Sequence, residues 1–198
     1  MENDENETSC MIRNDLTWCG GGYDEYFVHN GKREGTYKSY YLNGEIHIEC
    51  YYVNDRLFGE MKCYRKNGNV EISYYYNDGI LDGECKAYDI NNQLYELCNY
   101  KNGKLHGEYN SYYENGNINV TSKYKNGELD NIYKKYYENG NVMLICNYEN
   151  GKKHGEQTTY YDNCRIMSVN NYINGIEKKW KIHSLIKVAM FTVYLYKQ

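Results

Sequence analysis

An all-β fold, an elongated and twisted antiparallel sheet of consecutive β-hairpin repeats closed by a short C-terminal cap, is predicted by three features of the sequence. Residues recur with a period of 24. Asn-Gly dipeptides separate short runs of alternating character. One position of the repeat holds tyrosine without a break. A fixed period of this length marks a stacked repeat array, in which each unit buries surface only against its neighbours.

The period is carried by three glycine columns. The first runs Gly31, Asp55, Gly79, Gly103, Gly127, Gly151 and Gly175. The second runs Gly35, Gly59, Gly83, Gly107, Asn131 and Gly155 and stops at Lys179. The third runs Gly44, Gly68, Asn92, Gly116, Gly140 and Cys164, and Gly20 extends it one copy toward the N-terminus. Between them stand Tyr40, Tyr64, Tyr88, Tyr112, Tyr136 and Tyr160. With 27 Tyr, 18 Gly and no Pro, large amphipathic rings take the place of an aliphatic core, and the glycines serve turns that need positive φ.

In chain order, residues 1–15 match no repeat and have the acidic, polar composition of a disordered tail. Residues 16–175 form the array, and the first copy, Leu16 to Val28, is degenerate in the manner of a capping repeat. Within a full copy, Gly35 to Leu42 and Glu45 to Tyr52 are β-like runs around Asn43-Gly44. Such a dipeptide is the strongest short-range hairpin signal, and a two-residue type I′ turn is predicted there and at Asn67-Gly68, Asn115-Gly116 and Asn139-Gly140. The second connection, Val53 to Phe58, is read as a six-residue surface turn, in which Leu57, Leu81, Leu105 and Leu129 tuck under the sheet edge. Roughly 13 or 14 strands at about 4.8 Å each give a sheet about 60 Å long.

A two-residue turn at Asn43-Gly44 sets Tyr41 opposite Ile46, Ser39 opposite Ile48, Tyr37 opposite Cys50 and Gly35 opposite Tyr52. Period-two alternation then places Tyr37, Ser39, Tyr41, Ile46, Ile48, Cys50 and Tyr52 on an apolar face. Thr36, Lys38, Tyr40, Glu45, His47, Glu49 and Tyr51 lie on the other. On that second face the acids Glu60, Glu84, Glu108 and Glu156 alternate with Lys38, Lys62, Lys86 and Lys134 beside the tyrosine column. The ladder is either a solvated face crossed by weak ion pairs or a partner-docking stripe formed by the tyrosine column and these lysines.

The motif Tyr-x-Asn-Gly-x-x-x-Gly-Glu-Tyr-x-x-Tyr-Tyr-x-Asn-Gly, seen at Tyr100 to Gly116, resembles the MORN-type repeat in its 24-residue variant form, found in bacterial antitoxin-like proteins and proteins of large DNA viruses and protists. The resemblance spans Leu16 to about Gly175. It implies an elongated sheet of hairpins that acts as a scaffold or binding surface, and some members are proposed to touch membrane lipids.

The eight cysteines are read as reduced and structural. Cys50, Cys98 and Cys146 share one phase on alternate copies, so four strand spacings separate them and they cannot pair with one another. A cross-pair among Cys10, Cys19, Cys63, Cys85 and Cys164 stays open. No Cys-x-x-Cys or Cys/His zinc spacing occurs, and no metal or cofactor is expected. The histidines stand in no recurring nucleophile arrangement, and no Walker-type loop or nucleophile elbow is present. The chain is therefore expected not to be an enzyme.

A net charge of −4 with interspersed signs gives no basic field for nucleic acid. Without a leader at the N-terminus the protein is expected to be intracellular, in a host or cell cytoplasm, and monomeric. Residues 176–198 depart from the repeat. Their apolar run, Leu185 to Tyr196, is too short to span a bilayer and is read as a helical or β-type cap, with an interfacial membrane anchor as the alternative. The function expected is a non-enzymatic scaffold that binds a protein partner through its aromatic ladder. Neutralisation of a cognate toxin is the second reading, and membrane-surface attachment is the third.

Overall fold

A computed structural model describes residues 9–15 and 22–178. They form one 18-stranded antiparallel sheet. Its strands are β1 (Ser9–Asp15), β2 (Tyr23–His29), β3 (Lys32–Tyr40), β4 (Ile46–Val53), β5 (Arg56–Leu57), β6 (Gly59–Tyr64), β7 (Val70–Asn77), β8 (Ile80–Leu81) and β9 (Gly83–Tyr88). The second half comprises β10 (Leu94–Lys101), β11 (Lys104–Tyr112), β12 (Ile118–Lys125), β13 (Glu128–Leu129), β14 (Asn131–Tyr136), β15 (Val142–Glu149), β16 (Lys152–Tyr160), β17 (Ile166–Ile173) and β18 (Ile176–Glu177). Pairing runs in chain order, hairpin after hairpin, and no helix occurs among the described residues. The predicted C-terminal cap lies outside the described residues, apart from the first positions after Gly175.

Two expectations at the ends and in the count are corrected. Ser9–Asp15, expected to be disordered, is β1, and its backbone runs antiparallel to β2 from Ser9 opposite His29 to Asp15 opposite Tyr23. The backbone of a repeat edge offers a free row of donors and acceptors, which a segment of polar composition can pair with as readily as an apolar one. The strand count also exceeds 13 or 14, because β5, β8 and β13 are two-residue ladders separated from β6, β9 and β14 by one residue each.

The two connections exchange the turn types predicted for them. At Asn54-Asp55, Asp78-Gly79, Asn102-Gly103, Asn126-Gly127 and Asn150-Gly151 both residues have positive φ, between 49° and 89°, and the flanking residues pair directly, as Val53 does with Arg56. These are the two-residue type I′ turns. They shorten the expected six-residue connection to two, and Leu57 continues as strand opposite Tyr52.

At Asn43-Gly44 only the glycine is left-handed, with φ +84°. Gly44 N–H donates to Tyr41 O at 2.9 Å and Tyr41 N–H to Glu45 O at 2.8 Å. That geometry is a type I turn closed by a left-handed residue, a three-residue hairpin loop. The same bonds recur at Gly68, Asn92, Gly116, Gly140 and Cys164.

Register follows the prediction away from the loop and departs beside it. Gly35 opposes Tyr52, Tyr37 opposes Cys50 and Ser39 opposes Ile48, but Ile46 opposes Tyr40 rather than Tyr41. A bulge at His47 absorbs the extra loop residue. It turns the imidazole, expected on the charged face, onto the Tyr41 ring at 4.5 Å. The bulge recurs in every copy, between Cys63 and Tyr64, Ser111 and Tyr112, and Lys135 and Tyr136.

Copies are joined by bonds beyond the strand ladders. In three copies the tyrosine after the column position donates its hydroxyl to the backbone of the next copy: Tyr41 to Tyr64 O at 2.6 Å, Tyr113 to Tyr136 O at 2.6 Å and Tyr137 to Tyr160 O at 2.8 Å. Arg65 fills this position in the second copy and donates to Tyr88 O and Asp89 O. Loop asparagines do the same, as in Asn115 Nδ2 to Glu138 O at 2.9 Å and Asn141 Nδ2 to Asp162 O at 2.7 Å. At the opposite end Gly79, Gly103, Gly127 and Gly151 N–H donate to Leu57, Leu81, Leu105 and Leu129 O. Each bond contributes about 1 kcal/mol, repeated at every joint.

The core is one residue thick. Cys50, Cys98, Ser122 and Cys146 are buried on the apolar face beneath a second unbroken tyrosine column, Tyr52, Tyr76, Tyr100, Tyr124, Tyr148 and Tyr172. Edge-to-face contacts tie this column to the facing strand, Tyr37 with Tyr52 and Tyr109 with Tyr124 at 5.8 Å, and Tyr133 with Tyr148 at 6.1 Å. Rings bridging from either side close over a small residue, so burial is reached without a second layer among the described residues. Desolvation pushes the Cys50 thiol up to about 11 and the Tyr74 phenol up to about 12.

Candidate partner-binding face

The predicted tyrosine column lies on the charged face. Tyr40, Tyr64, Tyr88, Tyr112, Tyr136 and Tyr160 are all half-buried. Tyr40 stacks on Tyr23 at 4.5 Å and donates to Glu25 at 3.4 Å, and Tyr64 donates to Glu49 at 3.2 Å. Burial and the adjacent carboxylate both push these phenols up. The first two rings of the column are thus engaged within the sheet.

The lysines divide. Lys38 pairs across the strands with Glu49 at 3.0 Å, Lys62 pairs with Glu60 of its own strand at 3.0 Å, and Lys86 pairs likewise with Glu84. The hydrogen-bonded carboxylate raises each ammonium pKa. Lys134 has no ion pair among the described residues. Its strand neighbour two positions back is Ile132, where other copies carry Glu60, Glu84, Glu108 and Glu156, and its cross-strand partner is Thr121. Lys134 therefore has an acid neither in its own strand nor across from it, where it faces Thr121 and Ile145.

The same copy contains a depression of about 440 Å³, lined by Glu108, Thr121, Ser122, Lys123, Asn131, Ile132 and Lys134. It lies beside the irregularity between β12 and β14. Asp130 N–H bonds to Lys123 O, Asn131 turns left-handed at φ +72°, and the ladder resumes only at Thr121 opposite Lys134. On one wall Lys123 Nζ approaches Glu108 Oε1 at 3.4 Å. Ile132 is 50% exposed at the rim. The groove thus offers an apolar side chain and an unpaired ammonium group side by side.

Sequence reasoning placed Lys134 on this face but missed Ile132, although the break in the Glu60, Glu84, Glu108, Glu156 series was its signal. It also missed the Tyr41, Tyr113 and Tyr137 bonds, for which the Tyr-Tyr repetition was the available sign. The membrane-attachment reading rests on residues beyond Lys178, outside the described residues.

One family model matches parts of the chain. The family description "MORN repeat variant" matches residues 33–54, 81–102, 105–126 and 129–150, each match beginning just after a type I′ turn and ending within the next. The unmatched copy between the first two is the one that carries Arg65. No curated protein matches the chain. Among solved structures it is similar to one titled "Crystal structure of GtfA/B complex bound to UDP and GlcNAc", at 11% identity over 58% of this chain and 22% of that one, with a TM-score of 0.26. At that score the likeness carries no argument.

Proposed function

For a chain that carries MORN repeat variant repeats at four positions, we propose the role of a binding scaffold whose charged face docks a protein segment at the Ile132–Lys134 groove. The segment presents a carboxylate beside an apolar side chain. The observation that carries this reading is the pairing of Lys38, Lys62 and Lys86 with glutamates while Lys134 stands unpaired beside exposed Ile132. A partner carboxylate completes the ladder at Lys134, and its apolar neighbour covers Ile132. Charge contributes selectivity and apolar contact contributes residence time.

The test is selection of displayed random peptides on the intact chain, counter-selected on an Ile132→Glu/Lys134→Glu variant that melts like wild type. Enrichment of peptides with Asp or Glu next to an apolar residue supports the reading. Enriched peptides without acidic residues, or equal recovery on the variant, would sink it.

A further inference from the structure

Strand register sets Cys85 of β9 directly opposite Cys98 of β10, the one facing pair of cysteines among the described residues. Neither residue was grouped with the other by repeat phase, because Cys85 occupies the position of Tyr37 and Cys98 that of Cys50. Facing residues of an antiparallel pair have Cα atoms about 4.5–5.5 Å apart, within the span of about 4.4–6.8 Å that a disulfide bridges. Both side chains are buried, at 3% and 0% exposure, on the apolar face, where Cys98 Sγ also lies 4.0 Å from Glu96 Oε1.

We propose that Cys85 and Cys98 are a dithiol modification site, which a small-molecule disulfide such as oxidised glutathione converts to an intrachain bridge between β9 and β10. The surroundings differentiate the two thiols, because the Glu96 carboxylate stands beside Cys98. The neighbouring thiol lowers the pKa of Cys85, whereas the same neighbour, burial and the Glu96 carboxylate raise that of Cys98. Cys85 is therefore the attacking sulfur.

The Cys85 thiolate attacks one sulfur of the reagent, forms a mixed disulfide and expels the first glutathione thiolate. Cys98 then gives up its proton and attacks the Cys85 sulfur. The Cys85–Cys98 bond forms as the bond to the second glutathione breaks. Two protein thiols are oxidised, the reagent's S–S bond takes up the two electrons, and the two protons end on the two glutathione thiols released. Tyr74 and Tyr100 lie beside the pair with no second protein layer over them among the described residues, so ring motion opens the path to Cys85.

The experiment incubates the intact folded chain with oxidised glutathione, quenches in acid, alkylates free thiols in denaturant and maps peptides by mass spectrometry. The expected product is lighter by two hydrogen atoms, links the Cys85 and Cys98 peptides and reverts with dithiothreitol. Its melting temperature rises by several degrees, because the cross-link restricts the unfolded chain. A Cys98→Ser variant is expected to stop at the mixed disulfide on Cys85. Exposed Cys164 reports that the reagent is active. The proposal is overturned if Cys85 and Cys98 are both alkylated while Cys164 is modified, or if either links to another cysteine.

Discussion

Replacing Gly107 by Val isolates a cost that no side-chain contact can explain. Gly107 has φ +90°, and a Cβ placed there meets only Asn99 Cβ, at 3.9 Å. Space is available, so the penalty is that of the backbone conformation. A left-handed conformation costs an L-residue about 1–2 kcal/mol, and a β-branched one is at the upper end or beyond, while Asn visits this region routinely. The array itself shows the exception, since Asn131 holds the same phase at φ +72°. Gly107→Val is expected to lose about 2 kcal/mol and Gly107→Asn less than about 1 kcal/mol. At 2–4 °C per kcal/mol for a chain of this size, the Val variant melts about 4–8 °C lower. Thermal unfolding followed by far-ultraviolet circular dichroism reads the difference. Gly83→Ala adds a clash, because φ is +144° and the new Cβ would stand 2.8 Å from Tyr75 Cβ. If the Val and Asn variants of Gly107 both melt with wild type, the assigned conformation is wrong.

Three further outcomes follow, two from the joints between copies and one from an ion pair within a copy. Tyr137→Phe removes the 2.8 Å bond to Tyr160 O; urea unfolding should show a loss of about 1 kcal/mol, and an unchanged midpoint would deny the bond any role. Arg65→Tyr introduces the residue found at Tyr41, Tyr113, Tyr137 and Tyr161 and is expected to unfold like wild type, whereas Arg65→Ala should unfold earlier, and the reverse order would refute their equivalence. The third concerns pH. The hydrogen bond from Lys38 lowers the pKa of Glu49, so the pair adds stability above the ordinary carboxylate range and loses it as pH falls through the lowered value. NMR titration of Lys38→Met should show Glu49 titrating at higher pH than in wild type, and coincident curves would contradict the pairing.

The repeat length, the face pattern and the alternation of strands were legible because each is a periodic property summed over many copies. Turn type was not, because Asn-Gly satisfies two geometries. In the type I′ turn both residues are left-handed, and in the three-residue loop only the glycine is. The discriminating sign lay in the exceptions. Asp55, which replaces a glycine of the first column, is a residue that tolerates positive φ, whereas Leu42, one place before Asn43, belongs to a longer loop. A mistaken loop length displaced Tyr41 and His47 by one position, and the bulge at His47 restored the predicted facing of Ser39 and Tyr37 farther out. Bonds such as Tyr113 to Tyr136 O were hidden because a hydroxyl's partner depends on the offset between adjacent copies. The character of the groove was hidden for another reason: Ile132 at its rim breaks the glutamate series, and pattern reasoning discards such breaks as noise.

The most direct test of the docking face is an NMR titration of the isotope-labelled chain with a peptide enriched by the display selection. Amide shifts are predicted to cluster at Thr121, Lys123, Ile132 and Lys134, and to vanish in the Ile132→Glu/Lys134→Glu variant while its spectrum elsewhere stays that of the folded chain. Shifts confined to the opposite face, along Tyr52, Tyr76, Tyr100 and Tyr124, or retained undiminished in the variant, would contradict the assignment.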